Sequence, residues 1–376
     1  MSAADPGAGR RRGGPRRPVV TDRWPALFRP YRLMALPPTL ENPMKAFVVD
    51  KYQKKGALRV ADLPDPGLRD DDVLVQIHAT AVNLLDSKIR DGEFKALLPY
   101  RPPFVLGHDL AGTVVRVGSK VRTLKVGDEV YGRPRDHRVG TFAESLAVNE
   151  ADLAPKPTNL TMEEAASLPL VALTAWQALV EVGQVKPGQK VFIQAGSGGV
   201  GTVAIQLAKH LGATVATTTS AKNVELVKSL GADLVIDYQT QDFERLLSGY
   251  DLVVNSQDAA SLEKSLRVLK RGGIAISISG PPDPAFARSL GLNPVLKFVV
   301  GLLSGKVRKQ ARKLGVRYAF LFMRAEGQQL RQITALVEAG RIRTVVDKVF
   351  PFERTPDALA YVESSRVRGK AVIKVR

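Results

Sequence analysis

A glycine-rich loop at residues 195–201 offers the clearest chemistry in the sequence. It follows an apolar run at 191–194 and precedes a helical run at 203–209, so its Gly-x-Gly-x-x-Gly pattern stands between a strand and a helix. In that context glycines let the backbone approach a pyrophosphate, and the helix N-terminus offers free N–H groups and a positive dipole end. The loop therefore predicts a dinucleotide site, with a glycine-rich turn without ligand as the alternative. The predicted phosphate contacts are Gly196, Gly198, Gly199, Val200 and Gly201.

The residues after the second predicted strand decide which dinucleotide binds. NAD sites usually carry an acid about 20 residues after the loop, where it holds the ribose 2′-hydroxyl. Here residues 217–223 read Thr-Thr-Thr-Ser-Ala-Lys-Asn, without a carboxylate to repel a 2′-phosphate. We therefore predict NADPH as the cofactor, held by Thr219, Ser220 and Lys222, with Tyr238 stacked on the adenine. A solvated lysine at a helix start and a half-buried core tyrosine are the alternatives for the last two residues.

Composition limits the chemistry further. The 376 residues contain no cysteine, which removes disulfides, thiolate nucleophiles and cysteine-based zinc sites together. The net charge is +18, a surplus that attracts an anionic cofactor, a nucleic acid or an acidic membrane surface. The interpretation we favour is a basic, solvated surface on a protein that binds a polyanionic cofactor.

The elements that position these residues fall into two kinds. Residues 1–43 are rich in Arg, Pro, Gly and Ala without a period, and we interpret them as a disordered extension or a misassigned start. From 44 to about 150, short alternating runs between Gly, Pro and Asp turns predict a small β domain. From about 171, six apolar runs alternate with helical stretches, which predicts an α/β fold with a doubly wound parallel sheet. Residues 345–375 return to a strand-helix-strand pattern, and we expect them to rejoin the first domain.

Several further motifs occur in an order that resembles the medium-chain dehydrogenase/reductase superfamily, in particular its zinc-free quinone oxidoreductase branch. They read GHDLAG at 107–112, VGDEVYG at 126–132, LTAWQAL at 173–179 and GKAVIKV at 369–375. The resemblance covers nearly all of residues 44–376. It implies a GroES-like β-barrel catalytic domain at 44–173 and 323–376, with a Rossmann NADPH-binding domain at 174–322 between its two parts. It also implies a cofactor cleft between the domains and a homodimer joined through 318–322.

Zinc enzymes of the same superfamily hold their metal with two cysteines and a histidine. His108 matches the histidine, Asn83 stands at the first cysteine position, and the other cysteine position falls near Leu170. One histidine beside Asp109 does not make a zinc site of three protein ligands and water, so we predict no metal and a buried, hydrogen-bonded His108. The chemistry must then need no Lewis acid. Hydride transfer from NADPH to a quinone or an α,β-unsaturated carbonyl meets that condition, because these small lipophilic acceptors are already electrophilic.

The catalytic residues and the remaining cofactor contacts come from the resemblance. Asn83 and Lys88 match the segment at the nicotinamide end, Asn83 as an orienting group and Lys88 as a hydrogen-bond donor or cofactor contact. A capped short helix with a solvated lysine is the alternative for both. Tyr131 is a conceivable proton donor, against a buried tyrosine that closes a strand. Thr174 matches a position near the nicotinamide, and Phe322, at the end of the last Rossmann strand, completes the predicted cofactor contacts.

A second function class stays open because of one further segment. An apolar stretch at 290–303 precedes a basic cluster, which comprises Lys306, Arg308, Lys309, Arg312, Lys313 and Arg317. The stretch is too short to span a membrane, and it fits either an anionic membrane surface or a helix pair that covers a pocket. The alternative function is a non-catalytic NADPH-binding protein whose basic surface meets a membrane or nucleic acid. Nucleic acid is the weaker partner, because no aromatics interleave with the basic clusters. We expect a cytoplasmic location, with peripheral membrane contact as the variant.

Overall fold

The computed structural model of this protein describes residues 43–95 and 98–376. The interpretation of residues 1–43 therefore falls almost wholly outside the described ranges. Within those ranges the strands, in chain order, are β1 (Met44–Val49), β2 (Arg59–Leu63), β3 (Asp72–Ala81), β4 (Phe104–Val105), β5 (Leu110–Val117), β6 (Glu129–Gly132), β7 (Ser145–Asn149), β8 (Leu153–Pro155), β9 (Lys190–Ile193), β10 (Thr214–Thr219), β11 (Leu234–Asp237), β12 (Tyr250–Asn255), β13 (Leu269–Ser277), β14 (Arg317–Phe320), β15 (Val346–Pro351) and β16 (Lys370–Lys374).

The helices of the same ranges are α1 (Leu84–Asp91), α2 (Met162–Ala166), α3 (Pro169–Trp176), α4 (Gly199–His210), α5 (Val224–Ser229), α6 (Phe243–Leu246), α7 (Ala259–Val268), α8 (Pro284–Ser289), α9 (Pro294–Leu303), α10 (Gly305–Leu314), α11 (Gly327–Glu338) and α12 (Thr355–Glu363). A π-helical turn, Gln177–Val182, extends α3. Within the described ranges, 3-10 turns lie at Glu150–Asp152, Ala221–Asn223 and Phe352–Arg354.

Six strands form a parallel sheet in the order β11-β10-β9-β12-β13-β14. Both faces of the sheet are covered: Val191 and Ile193 of β9 belong to one core, and Phe192 between them belongs to another. The chain winds outward in opposite directions from β9 and β12, so a crevice opens between their carboxyl ends, where doubly wound sheets bind ligands. This sheet confirms the predicted Rossmann fold. The last predicted run differs slightly, since β14 ends at Phe320 and leaves Phe322 outside the strand.

A second, mainly antiparallel sheet has the order β15-β16-β3-β5-β6-β8, and β7 also pairs with β3. A three-stranded sheet, β2-β1-β4, accompanies it. Inward residues of β3 and β5, among them Val73, Ile77 and Leu110, form a buried core of their own. This is the β domain that the alternating runs of the sequence predict.

The chain returns to this second sheet after the Rossmann strands. Strand β15 is parallel to β16, and β16 runs antiparallel to β3 with Val372 opposite Ala81. Helix α3 lies where the two parts meet, and residues 169–175 are all buried. They share one core cluster with residues of β3 and β9, so the helix crosses the predicted boundary at 173/174 without a linker. The division into 44–173, 174–322 and 323–376 stays a prediction.

Candidate cofactor and active site

The glycine loop joins β9 to α4 at the carboxyl edge of the parallel sheet. Ala195 has a left-handed backbone with φ 52°, and Gly198 is the N-cap of α4. The first bond within this helix runs from the Thr202 N–H to the Gly198 carbonyl at 2.9 Å. The N–H groups of residues 199–201 therefore have no acceptor inside the helix. They stand at the positive end of the helix dipole, which suits an anionic ligand.

The glycines of the loop have two different physical roles. A Cβ at Gly201 would lie 2.3 Å from the Ala195 carbonyl oxygen, and one at Gly196 would lie 2.2 Å from Thr217 Oγ1. These two positions need glycine because the loop packs against itself and against β10. An added Cβ at Gly198 would meet the Ala195 carbonyl oxygen at 3.3 Å and no other neighbour within 4 Å, so this backbone is more open than those of Gly196 and Gly201. The open backbone fits the close approach of a pyrophosphate.

Hydroxyl and amide groups gather where strand β10 ends. Thr219 Oγ1 donates to Ser197 Oγ at 3.0 Å, and Asn223 Nδ2 donates to the same oxygen at 3.2 Å. Ser220 is buried beside Asn223, whereas Lys222 is exposed. Asn223 Oδ1 is buried without a hydrogen-bond partner, an acceptor that a ribose hydroxyl would satisfy. The sequence analysis predicts no role for Ser197 or Asn223. Both nevertheless lie inside the two predicted binding segments, 195–201 and 217–223.

A carboxylate does end the neighbouring strand. Asp237 lies opposite Thr219 in the register of β10 and β11, but its oxygens accept from the Gln239 N–H at 3.1 Å and from Thr240 Oγ1 at 3.4 Å. Its charge is therefore engaged in its own turn. Tyr238 is 62% exposed, and its N–H donates to the Thr219 carbonyl at 3.2 Å. The core-tyrosine alternative does not hold, and the backbone of Tyr238 lies next to the end of β10.

A buried ammonium group faces a buried carboxylate in the β domain. Lys370 is 5% exposed, and its Nζ donates to the Val82 carbonyl at 3.0 Å, to Asn83 Oδ1 and to Asp109 Oδ2 at 3.2 Å. Asp109 also accepts from Asn83 Nδ2 at 2.9 Å and from the Leu170 N–H at 2.7 Å. Buried charges are tolerated when they are paired and hydrogen-bonded in this way. Since its amide is engaged on both sides, Asn83 is placed to position this cluster rather than to contact an acceptor.

The same segment of chain fixes the glycine loop. The Gly369 N–H donates to the Ser197 carbonyl at 2.8 Å, and Gly369 forms an isolated parallel bridge with Gly198. A Cβ at Gly199 would lie 3.1 Å from Lys370 Cδ, so the lysine stem runs against the first turn of α4. The entry into the last strand of the β domain therefore holds the phosphate loop of the Rossmann domain in place.

His108 is fully buried close to this cluster. Its Nδ1 lies 2.6 Å from Asp86 Oδ1, and the other oxygen of Asp86 accepts from the Asn83 N–H at 2.7 Å. The structure thus contains the buried, hydrogen-bonded histidine that the sequence predicts. Asn83 and Leu170, at and near the positions that match zinc-binding cysteines, both bind Asp109 instead. Across residues 43–95 and 98–376, no group of three or more His, Cys, Asp or Glu side chains is arranged to hold a metal ion.

Tyr131 is not free to donate a proton. Its ring is fully buried, and its hydroxyl lies 2.9 Å from the Leu330 carbonyl and 3.0 Å from Thr334 Oγ1, both on α11. Burial also raises the pKa of this hydroxyl above its ordinary value. The geometry corrects the predicted role: Tyr131 is the buried tyrosine that closes a strand.

Two other predicted residues are engaged locally. Lys88 has a side chain that is 45% exposed, and its Nζ lies 3.8 Å from a carboxylate oxygen of Glu93. This geometry fits the solvated-lysine alternative, and the predicted donor or cofactor contact stays a prediction. Thr174 is buried within α3, where its Oγ1 donates to the Leu170 carbonyl at 2.7 Å. Its predicted proximity to the nicotinamide stays a prediction.

Phe322 lies in a group of aromatic rings. Its centroid is 5.9 Å from that of Phe94, which follows α1, and 5.7 Å from that of Phe286 on α8. Phe286 in turn packs edge-on against Phe320 at 5.0 Å. The rings thus come from both the β domain and the Rossmann domain, and Phe94 and Phe322 are only half-buried. Such a surface suits a flat, lipophilic ligand.

The two sheets and the loop between β9 and α4 define a class: a dehydrogenase or reductase with a β domain and a dinucleotide-binding domain. Residues 69–158 match the family model described as the alcohol dehydrogenase GroES-like domain, and residues 230–373 match the one described as zinc-binding dehydrogenase. The chain belongs to the medium-chain dehydrogenase/reductase superfamily, which confirms the resemblance and the GroES-like nature of the β domain.

Similar proteins include named reductases. The 2-methylene-furan-3-one reductase of Solanum lycopersicum is 36% identical over 346 residues, which cover 89% of this chain and 80% of that protein. The NADPH-dependent alkenal/one oxidoreductase, chloroplastic, of Arabidopsis thaliana shows the same identity and coverage. Among solved structures, the quinone oxidoreductase from Coxiella burnetii superposes with a TM-score of 0.77 at 31% identity, covering 89% of this chain and all of that one.

The substitution Gly201→Ala tests the packing role within the loop. We expect it to lower the free energy of unfolding by about 1–3 kcal/mol, because the new methyl group meets the Ala195 carbonyl. Gly198→Ala is the matched control: its φ is −82° and its added Cβ would lie 3.3 Å from the Ala195 carbonyl oxygen, a milder contact than at Gly201, so the loss of stability should be smaller while cofactor affinity falls. Urea denaturation and cofactor titration of both variants measure this. Equal losses of stability would contradict the two roles.

The substitution Lys370→Met tests the buried cluster. It leaves the Asp109 carboxylate buried among neutral donors, so we expect a loss of about 3–5 kcal/mol in the free energy of unfolding. Adding Asp109→Asn removes the stranded charge, and the double variant should be more stable than the sum of the single losses implies. Denaturation of the parent, both single variants and the double variant gives the coupling energy. Strictly additive losses would show that the two side chains do not interact.

Proposed function

We propose that this protein is an NADPH-dependent oxidoreductase that delivers hydride, without a metal ion, to a quinone or to the β-carbon of an α,β-unsaturated carbonyl. The observation that carries the proposal is the glycine loop opening onto the polar end of β10: residues 217–223 carry no carboxylate, and Asp237 on the neighbouring strand accepts hydrogen bonds within its own turn. Relatives named as an alkenal/one oxidoreductase and a quinone oxidoreductase, each similar over 89% of this chain, support the same two acceptor classes.

The residues of the Rossmann edge fit NADPH group by group. The N–H groups of 199–201 and the open backbone at Gly198 suit the pyrophosphate, and Asn223 Oδ1 offers an acceptor to a ribose hydroxyl. Lys222, exposed one turn past β10, supplies positive charge for a 2′-phosphate, and we assign the exposed ring of Tyr238 to the adenine. When bound, NADPH supplies the hydride. The protein supplies orientation and a binding surface.

The acceptor side follows from the aromatic group. Phe94 and Phe322 offer half-buried rings from the two domains, and we place the flat, lipophilic acceptor against them. Tyr131 and Asn83 already use their polar atoms inside the protein. We therefore propose that the reduced oxygen takes its proton from water that enters the cleft. A quinone or enone needs no Lewis acid, which agrees with a chain that has no cysteine to hold zinc.

We also propose how the protein assembles and where in the cell it is located. Strand β14 is the last strand of the parallel sheet and has a neighbour on one side only within the described residues. Such an edge offers unpaired backbone groups to a second copy, so we propose a homodimer joined there. A chain without cysteine suits a reducing compartment, so we propose the cytoplasm, with peripheral attachment to a membrane surface as the variant. The rival function, a non-catalytic NADPH-binding protein, predicts binding without turnover.

Turnover decides between the enzyme and its rival. Purified protein should oxidise NADPH much faster than NADH when a quinone or an enone is added, and a metal chelator should leave the rate unchanged. The loss of nicotinamide absorbance measures the rate. Rates abolished by the chelator, or equal for the two cofactors, would contradict the proposal. Tight NADPH binding without turnover across a panel of acceptors would favour the rival.

The substitution Lys222→Glu tests the 2′-phosphate site. A carboxylate there repels the phosphate, so the KM for NADPH should rise much more than the KM for NADH. Lys186→Glu makes the same charge change on an exposed lysine before β9, at the opposite edge of the sheet, and should leave both constants unchanged. Steady-state kinetics with both cofactors measures the effect. An equal shift for the two cofactors would remove Lys222 from the site.

A further inference from the structure

Helix α9 presents an apolar surface to solvent. Of the fifteen large apolar residues that are exposed within the described ranges, six lie on this one helix. Val295, Phe298 and Leu302 are 70%, 67% and 64% exposed, and Val300 alone among its ten residues is buried. The helix is nonetheless well formed, because Pro294 begins it and the Asn293 side chain accepts from the Leu296 N–H at 2.9 Å. Solvent-exposed apolar surface concentrated in this way marks an interaction site.

Helix α10 places positive charge directly after the apolar helix. Residues 284–317 carry eight basic side chains and no acidic one. Lys309, Arg312 and Lys313 are exposed and form no ion pair with any described residue, whereas Lys306 is paired with Glu263. The other face of α10 is anchored in a core of the Rossmann domain through two buried residues, Val307 and Ala311. The basic side chains are therefore held outward on a fixed support beside α9.

Three kinds of partner could cover such a surface, and the charges choose among them. A second copy meeting the same face across a twofold axis would bring two clusters of eight like charges together. A nucleic acid would satisfy the charges but would leave the side chains of Phe298 and Leu302 without an apolar partner. An anionic bilayer offers both a negative surface and an apolar layer beneath it.

The length of α9 decides how it meets a bilayer. Its ten residues extend about 15 Å, half of the roughly 30 Å hydrocarbon core. Nor does any other helix of the described ranges have the length and apolarity of a membrane span. A short apolar helix beside a basic one is the composition of an element that lies in the membrane–water interface.

We propose that α9 and α10 form a docking surface for anionic membranes. The outward side chains of α9 enter the boundary between headgroups and acyl chains, and those of α10 bind the lipid phosphates. Helix α8, which precedes α9, carries Phe286 and so connects this surface to the aromatic group at Phe322. The docking surface does not depend on the proposed reaction, and binding can be measured without it.

Vesicle flotation tests the proposal with the full chain. The protein should float with vesicles of phosphatidylcholine and phosphatidylglycerol, and binding should fall several-fold in high salt or with phosphatidylcholine alone. Lys309→Glu combined with Lys313→Glu should abolish binding. Phe298→Ser combined with Leu302→Ser should reduce it several-fold at low salt, because attraction without insertion is weaker. All four positions are exposed, so thermal unfolding should show that the variants remain folded.

A matched control distinguishes binding by α9 and α10 from a general effect of the net charge of the protein. Lys186→Glu combined with Arg341→Glu makes the same charge change at two exposed residues elsewhere, and binding should stay at the parent level. No binding by the parent, or equal loss in this control, would overturn the proposal. The proposal would also fail if Phe298→Ser combined with Leu302→Ser left flotation unchanged. Binding would then be purely electrostatic, and a nucleic acid could bind the same surface equally well. A halved molar mass of that variant in light scattering would assign the face to a second copy instead.

Discussion

The contact between Lys370 and Asp109 joins residues 261 positions apart, and the arrangement of the site depends on it. A lysine buried to this extent is stable only with a carboxylate and further acceptors around it, and this cluster provides both. Asp109 extends the connection to the first turn of α3 through the Leu170 N–H. The last strand, the motif at 107–112 and the helix that lies where the two domains meet are thereby fixed relative to one another.

This constraint explains how two domains build one binding surface. The residue before Lys370 is hydrogen-bonded to the glycine loop, while the Lys370 ammonium is bonded to the N-cap of α1, Asn83. A displacement of the β domain would break either the loop contact or the buried ion pair. The phosphate end of the cofactor site and the segment that leads to Phe94 therefore share one rigid frame. Preorganisation of this kind is what hydride transfer between two bound molecules requires.

The sequence predicted what depends on local pattern and missed what depends on distant partners. The Rossmann strands, the loop and the β domain follow from apolar periodicity and glycine spacing, which short-range sterics enforce. The hydroxyl of Tyr131 is bound by α11, 199 residues further along the chain, and no local signal reports such a partner. In the sequence, Lys370 stands out only as a member of the family motif GKAVIKV at 369–375. Its role could not be predicted, because a lysine at a strand start is ordinarily solvated and only the tertiary fold surrounds it with acceptors.

The positive charge of the chain is concentrated in two segments and not around the cofactor site. Of the net charge of +18, residues 1–43 carry +5 and residues 284–317 carry +8, which leaves +5 for all the rest. Residues 174–283, which hold the glycine loop and the end of β10, contain ten basic and ten acidic side chains and so carry no net charge. Exposed charges are screened beyond about 8–10 Å at physiological salt, so a cofactor phosphate responds to the helix N-terminus and to Lys222 rather than to the total. A general affinity for a polyanionic cofactor therefore does not account for the surplus. Its concentration beside an exposed apolar helix supports the anionic partner proposed for α9 and α10.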